Sequence, residues 1–147
     1  MLDRTLSAGY LTNWAARLFA RAIDRRLKPL GLASGQMPIL FALAGGGALT
    51  QKRLAAIAAI EQPTMAATLA RMERDGLVKR TPDPNDRRSA LVALTPAAER
   101  KAAAVREAVE EVNAAALSRL GTRERAAFLK ALQTVTGALE EDLGGGA

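Results

Sequence analysis

Pro63 to Thr95 reads PTMAATLARMERDGLVKRTPDPNDRRSALVALT, and its pattern changes twice along the way. It begins as a helix. Pro63 suits a first helical position, where its missing N–H costs nothing. Met65, Leu69 and Met72 then recur at i, i+4 and i+7, the apolar stripe of an amphipathic helix. Gly76 stops it. Leu77 and Val78 predict a short strand, and Ala90 to Leu94 predict another. Between the two lies TPDPNDRRS. Its Asp83-Pro84-Asn85-Asp86 is turn chemistry, and Arg87 and Arg88 sit where the loop re-enters the second strand.

Working upstream, Ile60-Glu61-Gln62 reads as a tight connector from a preceding short helix. That helix is predicted over Gln51 to Ala59, with Thr50 as its N-cap and Leu54, Ile57 and Ala58 buried. Two short helices joined by a tight turn make a helix-turn-helix. The second would bury its Met-Leu-Met stripe and turn Thr64, Ala67, Thr68 and Arg71 outward, with Ala66 at the edge. Gly45 to Gly47 separates this pair from a helix predicted over Ser34 to Ala44, where Pro38 must lie in the first turn. Further upstream, Leu6 to Leu30 reads as one long helix ended by Pro29 and Gly31. Leu6, Tyr10, Trp14, Leu18 and Ala22 share one stripe on it. That stripe most simply packs on another helix or another subunit. Tyr10, Asn13, Trp14 and Arg17 are also candidates to contact a small-molecule effector.

Downstream, Thr95-Pro96 restarts helix, with Thr as N-cap and Pro at the first position, and the helix is predicted to run to about Leu120. Gly121 breaks it. Thr122 is then read as the cap of a last helix through about Leu143, carrying Phe128, Leu132, Val135 and Leu139, and the GGGA tail is expected to be disordered.

The 147 residues contain neither Cys nor His, which excludes disulfides, thiol chemistry and imidazole or thiolate metal sites; no metal and no cofactor is expected. No apolar run reaches the length of a membrane span, and MLDRTLSAGYLTNW lacks the unbroken apolar core of a signal peptide, so a soluble cytoplasmic protein is expected. Ala supplies 32 residues. This favours helix but fills little volume, so a second chain is expected to complete the core. The net charge of +6 is uneven: residues 1–88 hold 14 Lys/Arg against 7 Asp/Glu, and residues 89–147 hold 7 against 8. A basic half beside a near-neutral half fits a polyanionic partner for the first.

A helix leading into a basic hairpin is suited to double-stranded DNA. The helix fits a major groove, and a thin loop with Arg fits the narrow, electronegative minor groove. Asp86, two residues before Arg88, is placed to orient that side chain through a charge-assisted bond. The alternative is a solvated turn whose Asp and Arg neutralise each other. No nucleophile–base pair or phosphate-cradling loop is visible; Gly45 to Gly47 lacks the Lys-Ser/Thr of a P-loop. An enzyme is therefore not expected.

Three segments resemble the MarR family of bacterial transcription regulators: GLASGQMPIL (31–40), LTQKRLAAIAAIEQPTMAATLARMERDGLVKR (49–80) and DPNDRRSALVALTPAAE (83–99), with the family's Asp-x-Arg wing pattern at Asp86-Arg87-Arg88. The resemblance implies a mainly α fold with a small β-hairpin wing (α+β). Residues 31–95 would form the winged helix-turn-helix domain, and residues 1–30 and 96–147 a helical dimerisation region. It further implies a homodimer on pseudopalindromic DNA, usually a repressor, often released by a small, frequently aromatic, anion. Gln62, Pro63, Thr64, Ala66, Ala67, Thr68 and Arg71 would be the DNA-facing residues of the recognition helix, and Asp86, Arg87 and Arg88 those of the wing.

One departure bears on specificity. Many relatives carry polar or basic residues where this chain has Ala66 and Ala67. Alanine touches thymine methyls but makes no bidentate bond to guanine. Direct readout then leans on Gln62, Thr64 and Thr68, with Arg71 on phosphate. An architectural or protein-interaction winged helix with little sequence preference is the alternative.

Overall fold

Ser7 opens the first helix: its hydroxyl accepts from the Tyr10 N–H at 3.2 Å, capping α1, Ala8–Leu27. The computed structural model describes residues 2–144; Met1 and residues 145–147, with them most of the GGGA tail, lie outside the described residues. The sequence predicts helix to Leu30. The α-helix instead stops at Leu27 and tightens into a 3-10 turn over Lys28–Leu30, because Pro29 has no N–H to continue the ladder, and Gly31 reverses the chain at φ 71°.

The second helix also starts as a 3-10 turn, Ser34–Gln36, before α2, Met37–Leu43. Pro38 lies in the first α turn as expected. The Ser34 N–H donates to Asp24 Oδ1 at 2.6 Å, which pins this turn to α1. After Gly45 and Gly46, both at positive φ, comes a strand that the sequence does not announce: β1, Ala48–Thr50. Three residues are too few for an alternating pattern to show.

Thr50 caps α3, Gln51–Ala58, by accepting from the Arg53 N–H at 3.2 Å. The predicted burial of α3 needs correction. Leu54 and Ala55 are buried and Ala58 half-buried, but Ile57 is 50% exposed. The buried arc is centred between Leu54 and Ala55, which leaves Ile57 facing out. Ala59 adopts a left-handed φ of 52° and turns the chain into α4, Gln62–Arg74. Gln62 is therefore the first helical residue rather than part of the connector, and Pro63 follows it. Met65, Leu69 and Met72 are essentially inaccessible, as their spacing predicts. Gly76, at φ 72°, closes α4: its N–H donates to Glu73 O and that of Leu77 to Met72 O.

The chain then forms β2, Val78–Asp83, and β3, Asp86–Leu94, antiparallel, with β3 also paired to β1, so the sheet order is β1-β3-β2. Both wing strands are longer than predicted, and the loop shrinks to Pro84-Asn85. Pro82 is tolerated inside β2 because β2 is an edge. Thr95 fastens the base of this ribbon: its N–H donates to Leu77 O, and its hydroxyl donates to Gly76 O at 2.6 Å. The same hydroxyl accepts from the Ala98 N–H and caps α5, Pro96–Glu99.

The predicted single helix from Pro96 to Leu120 is interrupted. A turn at Arg100-Lys101 separates α5 from α6, Ala102–Ala116. Nothing in ERKAAA breaks a helix by itself. The interruption coincides with Lys101 Nζ reaching back to donate to Leu30 O. Arg26 Nε meets Glu111 Oε2 at 2.9 Å and ties α1 to α6 directly.

The described chain divides into two compact units, residues 1–112 and 113–147. The first holds the buried core, including Leu27, Ile39, Leu43, Leu54, Leu69 and Val92. In the second, Gly121 rather than Thr122 is the N-cap of α7, Thr122–Asp142, and its N–H donates to Glu124 Oε1. No residue of α7 is buried; Phe128, Leu132, Val135 and Leu139 are all exposed.

Candidate nucleic-acid interface

On α4 the Met-Leu-Met stripe points into the core, which fixes what points out. Gln62, Pro63, Thr64, Ala67 and Arg71 are exposed, while Ala66 and Thr68 are half-buried at the edges. The outward face is thus mostly small and uncharged. Thr68 Oγ1 donates to Thr64 O at 2.9 Å, and Arg71 Nη2 lies 3.4 Å from the same Oγ1. This back-bonding to the preceding turn is a common resting place for a helical threonine. Here it also draws the Arg71 guanidinium along the helix.

The wing tip is built by carboxylates acting on backbone. Asp83 Oδ1 accepts from the Asn85 N–H at 2.9 Å, an Asx turn. Asp86 Oδ1 accepts from the Arg88 N–H at 2.9 Å. The expected charge-assisted bond from Asp86 to the Arg88 guanidinium is replaced by this backbone bond. Asp86 pairs with Asp83 and Ala90 with Pro82, leaving Arg87, Arg88 and Ser89 without register partners on β2. Strand pairing to β2 therefore does not hold the two arginines; at Arg88 the Asp86 carboxylate fixes the backbone instead. Both arginines are exposed, and neither has an ion-pair partner among the described residues.

Sequence patterning does not reveal the contact that links helix to wing. Arg80 Nε on β2 lies 3.3 Å from Glu73 Oε2 near the end of α4. The two are close because the Gly76 turn folds β2 back on α4. Both are partly solvated, so the pair contributes at most about 1 kcal/mol, and its effect is mainly geometric.

The proposed effector residues fall elsewhere. Tyr10, Asn13, Trp14 and Arg17 are exposed on α1, with Trp14 42% accessible, packed edge-on to Tyr10 and under the Arg4 guanidinium. A separate cavity of about 380 Å³ opens between α2 and the α5–α6 segment, lined by Leu40, Phe41, Val105 and Val109, with Glu99, Arg106 and Glu110 among its polar groups. Phe41, 65% exposed, stands in its wall. No hydrophobic spacing marks this cavity, because it is defined by what α2 and α6 fail to fill. Among the described residues no cluster of acidic side chains could hold a metal, and no helix is long and apolar enough to cross a membrane.

Residues 30–89 match the MarR family profile. The chain is 39% identical to the HTH-type transcriptional regulator YwoH of Bacillus subtilis over 60% of its own length and 64% of that protein's, so this match spans less than two thirds of the relative. It is 33% identical to the transcriptional regulator HosA of Escherichia coli, over 73% of this chain and 79% of HosA. The fold superposes at TM-score 0.84 and 22% identity on a MarR family regulator of Listeria monocytogenes solved with a 26mer DNA, covering 97% of this chain and 92% of that one. These relatives are transcription regulators, not enzymes. Profile, relatives and a mostly helical fold with a three-stranded wing agree: the chain belongs to the MarR family of transcription regulators.

Proposed function

We propose that the chain is a repressor that binds a pseudopalindromic operator as a homodimer, α4 in the major groove and the wing arginines in the adjacent minor groove. The observation that carries this reading is the exposed pair Arg87-Arg88, held out on a strand excursion at the tip of a ribbon whose base is fastened to the end of α4 through Gly76 and Thr95. The DNA-bound Listeria regulator of the same fold supports it. Residues 31–95 serve as the DNA-binding domain. Residues 1–30 and 96–147 serve dimerisation: α1 exposes Tyr10, Leu11, Trp14 and Leu18, with Leu6 exposed in the turn before it, and α7 exposes its own apolar row, more apolar surface than a monomer needs in water. Repression follows from the family's usual mode.

The cavity beside α2 is our proposed effector site. Its size is within the range of small-ligand pockets, and its apolar lining suits an aromatic body. Arg106 is the group placed to meet an anion, with Glu99 and Glu110 limiting how much negative charge the site accepts. Selection of bound duplexes from a random pool tests the DNA reading: an inverted repeat supports the operator model. No consensus would favour the second reading, an architectural protein, toward which Ala66 and Ala67 point.

A further inference from the structure

The outward face of α4 offers carbon nearly everywhere a base edge would meet it. Ala66, Ala67 and Ala70 present methyl groups, Pro63 its ring, and Thr64 and Thr68 one methyl each. The hydroxyl of Thr68 is already engaged. It donates its one hydrogen to Thr64 O, and its oxygen faces Arg71 Nη2. While that arrangement holds, Thr68 has no proton to give a base, and its methyl is the part left to present. Arg71, the first cation along this helix, is drawn toward Thr68 rather than forward. Gln62 alone offers a carboxamide at the helix start.

Resting on the reading of α4 as the recognition helix, we propose that it reads DNA chiefly through thymine C5-methyl groups, with Ala67 and Thr68 as the specificity-determining residues. In the major groove only thymine carries a methyl, whereas bidentate reading of guanine takes Arg or Lys and of adenine takes Asn or Gln. A face of alanine and threonine methyls supplies apolar contact and one carboxamide. The preferred half-site is then thymine-rich opposite the first two turns of α4, with one position open to adenine through Gln62. Each buried methyl contributes about a fourfold gain in affinity.

The test uses the full chain and the duplex enriched from a random pool. Single thymidines of the half-site are replaced by deoxyuridine, which removes only the methyl, and affinity is read by fluorescence anisotropy. The expected result is a loss of about fourfold at one or two half-site positions and none in the flanks. Thr68→Val should keep this methyl step, and Thr68→Ser should erase it at one position, since valine retains a methyl there and serine does not. Both variants lie on a half-buried surface and should fold; the ratio between paired duplexes cancels any uniform loss through Arg71. An enriched operator bound equally well with uracil throughout, or one whose half-sites are guanine-rich, would overturn methyl reading alone. So would a methyl step lost in Thr68→Val and kept in Thr68→Ser. Absence of any enriched duplex would overturn the DNA-binding reading and this inference with it.

Discussion

The Asp86 carboxylate accepts a hydrogen bond from the backbone N–H of Arg88 at 2.9 Å, so an acid fixes the main chain from which the wing's basic side chain projects. A bond to backbone needs an acceptor oxygen, not a charge. Asp86→Asn should therefore leave operator affinity within about twofold, while Asp86→Ala should weaken it clearly, by roughly 1 kcal/mol, the usual worth of such a bond. Equal losses in both variants, read by gel shift, would show that the carboxylate's charge is what counts.

Arg88→Ala should cost about 1–3 kcal/mol of operator affinity, the range for a lost groove contact, without changing the thermal midpoint. Its side chain is exposed and makes no hydrogen bond or ion pair among the described residues, and the backbone bond to Asp86 survives the substitution. An unchanged gel-shift affinity would remove the wing from DNA binding.

Gly76 adopts φ 72° with open space around its Cα. Gly76→Ala should then destabilise by about 1–2 kcal/mol through backbone strain alone. A urea midpoint equal to that of the parent protein would contradict the left-handed turn that sets the wing against α4.

Leu18 lies on the exposed apolar stripe of α1, 49% accessible, where a second subunit is proposed to dock. Leu18→Glu should shift the molecular mass by light scattering from dimer to monomer and abolish operator binding, with helical circular dichroism retained. A variant that stays dimeric would exclude this face from the interface.

Ala102 lines the cavity beside α2. If the cavity is the effector site, as proposed, Ala102→Trp should fill it and remove whatever thermal shift an aromatic acid produces in the parent protein, while leaving DNA affinity intact. A thermal shift that persists in the variant would place the effector elsewhere, with the Tyr10–Trp14 face of α1 the next place to test.

Features with their own local chemistry were legible in the sequence. The Met65-Leu69-Met72 stripe, the Thr50 and Thr95 caps and the Gly76 stop all stand in the structure where their residue types require. Features defined by partners across the chain were not. β1 exists because β3 offers it an edge, and three residues carry no period of their own. Ile57 counts as apolar by type, but the arc of α3 that meets the core is set by its neighbours. β2 runs into the turn-rich loop because pairing with β3 through Thr81, Pro82 and Asp83, not propensity, extends it. At the site, residue identities were readable and their bonds were not: Thr68 offers a hydroxyl on paper but spends its proton on Thr64, and Asp86 serves the backbone of Arg88 rather than its guanidinium.

The central claim is a symmetric DNA reader, and selection from random duplexes followed by a salt titration of the winner tests it most directly. The account predicts an inverted repeat with half-sites about 10 bp apart, centre to centre, and an affinity that falls steeply and log-linearly with salt. A pool without consensus, bound with an affinity that salt leaves unchanged, would contradict it.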